Sequence, residues 1–147
     1  MDIYTKSTNL LGTGGAGQSC KCINQITIAG AMIGVVEGLI FGHKAGLNLQ
    51  QILDTISGGA AGSFSLTYYT PKILKGDMQP GFYVEHFVKD MEIALDECRR
   101  MNISLPGLAL VHQLYRALMA QGGARLGTQA LIQALETLNN VKIGQQE

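Results

Sequence analysis

The chain has 147 residues, of which 46% are hydrophobic, so it is long enough for one domain with a sizeable core. Eleven Lys and Arg balance eleven Asp and Glu, and this neutrality argues against a nucleic-acid partner or an anionic membrane surface. The three cysteines lack the number and spacing of a disulfide or zinc framework, so we expect a cytoplasmic protein whose cysteines are small buried hydrophobic residues.

The two ends of the chain are polar. Met1 to Asn9 lacks the apolar run of a signal peptide, and we interpret residues 1–12 as a linker or leader. Residues 142–147 are interpreted as a tail, which leaves residues 13–141 as the folded domain.

A glycine-rich stretch, residues 12–17, matches the spacing Gly-x-Gly-x-x-Gly, and Glu37 follows at the distance of the acidic residue in a dinucleotide-binding fingerprint. That fingerprint requires a buried strand before the glycines and a second strand ending at the acid. Only Asn9-Leu10-Leu11 precedes the glycines, and Glu37 lies in helical sequence. We therefore predict that the Rossmann domain is absent, and that the glycines lead into a helix with Gln18 and Ser19 as its N-terminal residues.

The most apolar part of the chain, residues 26–42, is predicted to be one long helix. Its length approaches that of a membrane span, but Asn24, Gln25 and Glu37 favour a core helix, so no membrane partner is expected. Glycine recurs at every fourth position: Gly30, Gly34, Gly38 and Gly42. Each costs up to about 1 kcal/mol relative to alanine, which a closely packed backbone could offset. That backbone could belong to the same chain or to a second subunit, and we predict a homo-oligomer, most simply a symmetric dimer.

Lys21 lies near the start of this helix. Asn24 and Gln25 follow it one turn later on the same face, which then becomes apolar. A lysine beside amides at the mouth of an apolar helix is a candidate for proton chemistry. The alternatives are a lysine whose stem is buried and whose ammonium reaches water, and a helix that starts at the surface and then enters the core.

Further helices follow from apolar spacing, caps and helix breakers. Asp90 and Glu92 are interpreted as acids that favour the dipole of an early helical turn. The three histidines have no metal-site spacing, and no metal is predicted. The class is all-α, with one long apolar helix and others over Leu49 to Ile56, Ser63 to about Lys75 with a kink or split at Pro71, Val84 to Met101, Pro106 to about Gln121, and Thr128 to Leu138.

Several separated motifs follow one another along the chain: Gly15-Ala16-Gly17-Gln18, Lys21, Asn24, Glu37-Gly38, Lys44-Ala45-Gly46-Leu47, Gly81-Phe82, Lys89-Asp90-Met91 and Leu105-Pro106. In this order and spacing they resemble the C-terminal domain of the β-hydroxyacid dehydrogenases, an all-α domain of the 6-phosphogluconate dehydrogenase-like fold. The resemblance implies that Lys21 is the catalytic lysine, that Asn24 or Gln25 binds a small hydroxy-acid substrate, and that Lys89 reaches NAD or NADP. Phe82 could also pack over the cofactor or could be a hydrophobic anchor.

Two functions remain open on the sequence. The first is the substrate and oligomerisation half of an NAD(P)-dependent oxidoreductase that acts on a small β-hydroxyacid. The second is a non-enzymatic all-α oligomerisation module that keeps the helices without the chemistry.

Overall fold

The computed structural model describes residues 12–144. These residues form α-helices and turns, and within them the structure has no β-strand, only one isolated bridge between Tyr83 and Gly127. The predicted all-α class is confirmed for the described part of the chain. The helices are α1 Ala16–Lys44, α2 Leu49–Ile56, α3 Thr70–Leu74, α4 Val84–Met101, α5 Pro106–Ala120 and α6 Leu131–Asn139, with a π-helical turn at Ser65–Tyr69 and a 3₁₀ turn at Thr128–Ala130.

Helix α1 is the centre of the fold. One side of it packs against α4, α5 and α6 and buries residues from Gln25 to Gly42, including Met32 and Val36, which are fully enclosed. The helix is long and apolar enough to cross a membrane by length and composition, but these contacts are those of a core helix. The opposite side of α1 is exposed, and it carries three of the four regularly spaced glycines.

The start of α1 differs from the prediction. The helix begins at Ala16, two residues before Gln18, because Gly15 adopts a left-handed conformation (φ 95°) that serves as the N-cap. Glycine reaches positive φ without steric cost, so the turn forms as soon as the glycine stretch allows it. Glu37 lies inside α1, as predicted, and not at the end of a strand.

The connection between α2 and α4 contains the predicted split helix. Ser63 Oγ accepts a hydrogen bond from the backbone N–H of Leu66 at 3.0 Å, as expected for a cap. The chain then forms the π-helical turn and only afterwards α3, with Pro71 in its first turn. Pro71 has no N–H and its ring would clash with the carbonyl of Thr67 in a regular α-helix, and a widened turn relieves that clash.

Two contacts fix the segments around α4 and α6. Gln129 donates from Nε2 to the carbonyls of Asp77 and Gln79, both at 3.0 Å, and so holds the loop that leads to Phe82. After the end of α6, the backbone N–H of Ile143 donates to the Glu136 carboxylate at 2.8 Å, and Ile143 is 5% exposed. The segment interpreted as a tail from residue 142 therefore begins as part of the packed domain.

Candidate functional site

The first turns of α1 meet the middle of α4 at an ion pair. Lys21 Nζ lies 3.5 Å from Asp90 Oδ2. The lysine side chain is 58% exposed, whereas that of Asp90 is 7% exposed. A carboxylate buried to this degree requires compensating partners, and Lys21 supplies the charge while its ammonium remains open to solvent.

Asp90 has a second partner on α1. Gln25 Nε2 donates to Asp90 Oδ2 at 2.9 Å, and Gln25 Oε1 accepts from Asn24 Nδ2 at 3.0 Å. Gln25 is buried and Asn24 is exposed. Lys21, Asn24 and Gln25 therefore form the polar strip predicted on α1. Asp90 joins them into one network of hydrogen bonds and an ion pair.

Asp90 is the residue that the sequence analysis missed. Its interpretation as an early-turn acid favouring the helix dipole is wrong, because the side chain points into the contact with α1. The sequence did contain a signal: Asp90 directly precedes the fully buried Met91 and follows the buried pair Phe87 and Val88. An acid within such a buried stretch needs a partner.

The ion pair opens on a small cleft lined by Gln18, Lys21, Cys22, Gln25, Asp90 and Ile93. Burial raises the pKa of the Cys22 thiol, which lowers its thiolate fraction and makes it a poorer nucleophile. Cys98 is buried, as predicted, but the expectation fails for Cys20, which is exposed. Cys20 is two residues before Cys22, and this spacing places the two on different sides of α1.

The predicted cofactor residues lie on α4 and just before it. Lys89 is exposed and points about 100° around the helix from Asp90, away from the ion pair. Phe82 is half-buried and packs edge-to-face against Phe87, with ring centroids 6.2 Å apart, and against His86 at 6.1 Å. It is thus anchored while part of its ring remains accessible.

The first turn of α4 is capped by the chain itself. The N–H of Val84 donates to the carbonyl of Leu126 at 2.9 Å, and the N–H of Glu85 donates to that of Ala124 at 3.0 Å. A phosphate group binds at a helix N-terminus through such free N–H groups. These two donors of α4 are therefore not free to receive the pyrophosphate of a dinucleotide.

The chain matches known proteins along most of its described length. Residues 15–135 match the family model described as NAD-binding of NADP-dependent 3-hydroxyisobutyrate dehydrogenase. A relative from Arabidopsis thaliana named probable 3-hydroxyisobutyrate dehydrogenase-like 1, mitochondrial, is 59% identical over 92% of this chain and 40% of its own length. The 2-hydroxy-3-oxopropionate reductase of Escherichia coli is 34% identical over 97% of this chain and 49% of its own length.

Solved structures agree with the sequence matches. The 3-hydroxyisobutyrate dehydrogenase of Mycobacterium tuberculosis, determined with L-serine, superposes with a TM-score of 0.78 at 26% identity, over 85% of this chain and 45% of that one. The chain thus spans somewhat under half the length of these relatives. The helical fold and these matches together show that the chain belongs to the β-hydroxyacid dehydrogenase family, whose cofactor is NAD(P).

Proposed function

We propose that this chain is the substrate-binding and oligomerisation half of an NAD(P)-dependent oxidoreductase that acts on a small β-hydroxyacid, in a soluble, cytoplasmic enzyme. The observation that carries the proposal is the pairing of the exposed Lys21 ammonium with the buried Asp90 carboxylate. The family membership of the chain and the names of its relatives support the reaction class.

Lys21 is the proposed acid/base. Asp90 restrains the Lys21 side chain on its buried side, while the exposed ammonium can approach a ligand that binds over the cleft, which itself has room for about one water molecule. In this role Lys21 Nζ gives a proton to the substrate oxygen when the carbonyl is reduced, and takes it back when the hydroxyl is oxidised. Restraining the lysine lowers the entropic cost of placing it against that oxygen.

Asn24 and Gln25 are the proposed substrate amides. Both ends of the Gln25 amide are already engaged, by Asp90 and by Asn24. Asn24 is exposed, and within residues 12–144 its carbonyl oxygen and its second N–H have no hydrogen-bond partner. Asn24 is therefore the amide better placed to touch substrate, and Gln25 supports it from the buried side.

The described residues fit only part of an NAD or NADP molecule. Exposed Lys89 and the accessible edge of Phe82 can contact part of NAD or NADP, whose nicotinamide would supply or accept the hydride. Two N–H groups in the first turn of α4, those of Val84 and Glu85, are bound to the carbonyls of Leu126 and Ala124 and are not available to a pyrophosphate. We assign Lys89 and Phe82 to a small part of the cofactor site and expect most of that site to lie outside residues 12–144.

The exposed face of α1 is the proposed oligomer contact. Within the described residues, a Cβ atom built on Gly30, Gly34 or Gly38 would have open space around it, so these glycines meet no neighbour in the same chain. Ile23, which is 64% exposed, and Phe41, which is 75% exposed, lie at the two ends of the same face. Of the two partners considered from the sequence, these observations favour the second subunit.

The non-enzymatic oligomerisation module is the weaker candidate. It accounts for the glycine face, but it gives no role to a carboxylate buried against Lys21 and Gln25. Such a charge is costly to bury, and apolar residues of the same size often serve packing better.

The test is turnover by a full-length protein, meaning one in which this chain is joined to an NAD(P)-binding domain. NAD(P)-dependent oxidation of 3-hydroxyisobutyrate and related β-hydroxyacids is measured for the wild type, Lys21→Ala and Lys44→Ala, the last an exposed lysine at the far end of α1. Loss of a general acid/base lowers kcat by about 10²–10⁴-fold. We expect this for Lys21→Ala alone, with little change in cofactor binding, and nearly full kcat in that variant would refute the assignment.

A further inference from the structure

The two amides of the site have a defined direction. Asn24 Nδ2 donates to Gln25 Oε1, and Gln25 Nε2 donates to Asp90 Oδ2. The Asp90 carboxylate lies beside the Lys21 ammonium and, when ionised, can only accept hydrogen bonds. Gln25 must therefore turn its NH₂ group to Asp90, which leaves its carbonyl oxygen facing Asn24.

The same constraint passes to Asn24. Because Gln25 Oε1 only accepts, Asn24 must turn its own NH₂ group toward it. The two ends of an amide have nearly the same shape, and which end faces a site is decided by the surrounding hydrogen bonds. Among the residues that the structure describes, no donor reaches the carbonyl oxygen Oδ1 of Asn24, which is then the end of the amide left for a ligand.

We infer that Asp90, acting through Gln25, fixes Asn24 so that it presents a hydrogen-bond acceptor beside Lys21, and that the site therefore selects ligands with a hydrogen-bond donor at that position. The ligand class rests on the proposed function, whereas the direction of the amides does not. Asp90 and Gln25 are positioning residues in this scheme, and Asn24 is the residue that accepts a hydrogen bond from the ligand.

A hydroxyl group can hydrogen-bond to both Asn24 Oδ1 and Lys21 Nζ. While Lys21 is an ammonium, the hydroxyl oxygen accepts from Lys21 Nζ and the hydroxyl proton is donated to Asn24 Oδ1. During oxidation a neutral Lys21 takes that proton instead. A methyl ether keeps the oxygen but has no proton to donate, so Asn24 Oδ1 would lose its partner. A site that hydrogen-bonds a hydroxyl discriminates against analogues that lack the proton, and since Asn24 is exposed we expect a modest factor, about 10-fold.

The direction of the amides can be measured on the chain itself. In the ¹³C,¹⁵N-labelled protein, through-hydrogen-bond NMR correlations should join the Asn24 amide N–H to Gln25 Cδ and the Gln25 amide N–H to Asp90 Cγ. The exposed bond from Gln50 Nε2 to Asp54 Oδ1, at 2.9 Å, gives a reference correlation of the same kind. A correlation from the Gln25 amide N–H to Asn24 Cγ would show the opposite direction and overturn the inference.

Discrimination is measured on the full-length protein with 3-hydroxyisobutyrate and its O-methyl ether, by calorimetry. The wild type should bind the hydroxy acid about 10-fold more tightly. In Asp90→Asn the new amide can accept or donate, so Gln25 can turn and the preference should fall to about 3-fold or less. Asp54→Asn makes the same chemical change at the reference bond and should leave the preference intact.

The outcomes separate the two proposals. Equal binding of ether and hydroxy acid by a wild type that oxidises the hydroxy acid overturns the inference while the proposed function stands. An unchanged preference in Asp90→Asn overturns the role of Asp90. If neither acid binds, the proposed function fails, and the NMR correlations alone decide whether Asp90 fixes the amides.

Discussion

The Asp90 carboxylate of α4 lies 3.5 Å from the Lys21 ammonium of α1 although the two residues are far apart in sequence. Replacing Asp90 with Leu leaves Lys21 unrestrained and Gln25 Nε2 without its acceptor. We expect kcat of the full-length enzyme to fall by roughly 10–100-fold, the scale of a misplaced catalytic group. Asp90→Glu keeps the charge and should recover part of the loss. Steady-state kinetics with thermal melts test this, and Asp90→Leu with unchanged kcat would contradict it.

The isolated chain should bind dinucleotides poorly. In the proposed site Lys89 and Phe82 contact only a small part of the cofactor, and the N–H groups of Val84 and Glu85 are occupied by carbonyls of the chain. Calorimetry with NADH and NADPH should give no micromolar dissociation constant. The full-length protein, which should bind, is the control. Micromolar affinity of the isolated chain would mean that it holds a pyrophosphate site that does not use the N–H groups of Val84 and Glu85.

The glycine face should control assembly without controlling the fold. Gly34→Leu and Gly38→Leu place side chains where the single chain has open space. Overpacking a close contact costs roughly 1–3 kcal/mol per site, so each variant should weaken the dimer and keep its helical content. Gly107→Leu, an exposed glycine with open space on α5, is the matched control. Sedimentation and circular dichroism decide, and a monomeric wild type would exclude the intersubunit role.

Tyr115 should make the fold sensitive to alkaline pH. It is completely enclosed, its hydroxyl donates to the carbonyl of Thr128 at 2.7 Å, and burial raises its pKa well above 10.0. Below pH 10 both folded and unfolded chains keep the proton; above it only the unfolded chain releases it, so the stability that Tyr115 contributes is lost as the pH rises. Tyr115→Phe should cost about 1–3 kcal/mol at neutral pH, because the Thr128 carbonyl loses its partner.

The same substitution should remove part of the alkaline loss of stability. Urea unfolding of the wild type and Tyr115→Phe at about pH 7 and about pH 11 measures both effects. The exposed Tyr68→Phe serves as the control. If the wild type and Tyr115→Phe lose the same stability between the two pH values, Tyr115 is not the group responsible.

Much of the helical framework could be predicted because its boundaries are local. α2 begins at Leu49, where Asn48 accepts a hydrogen bond from the N–H of Gln51 at 3.0 Å, and Gly46 with φ 73° closes the preceding helix. Each of these two helix boundaries can be predicted from a single residue. The early start of α1 is also local, but it depends on which of several glycines takes the left-handed conformation, and the sequence does not distinguish them.

The site was only half predictable for a different reason. Lys21, Asn24 and Gln25 lie within one turn of each other, so helical spacing is sufficient to group them. Asp90 joins them only because α1 and α4 pack side by side, and that contact is tertiary. Cys20 was misjudged for the same reason: whether a cysteine near the start of α1 is covered depends on the neighbouring helices.

Gly42 differs from the other three glycines of its series. A Cβ atom there would lie 2.9 Å from Leu49 Cδ2, so the start of α2 requires this glycine. Gly30, Gly34 and Gly38 have no such restraint, and alanine at each would favour the helix by up to about 1 kcal/mol. Alanine substitutions at those three positions should thus raise the melting temperature of the free protomer. The chain keeps glycine at these positions and so lacks that helix stabilisation, as expected if selection has acted on the assembled protein more strongly than on the separate subunit.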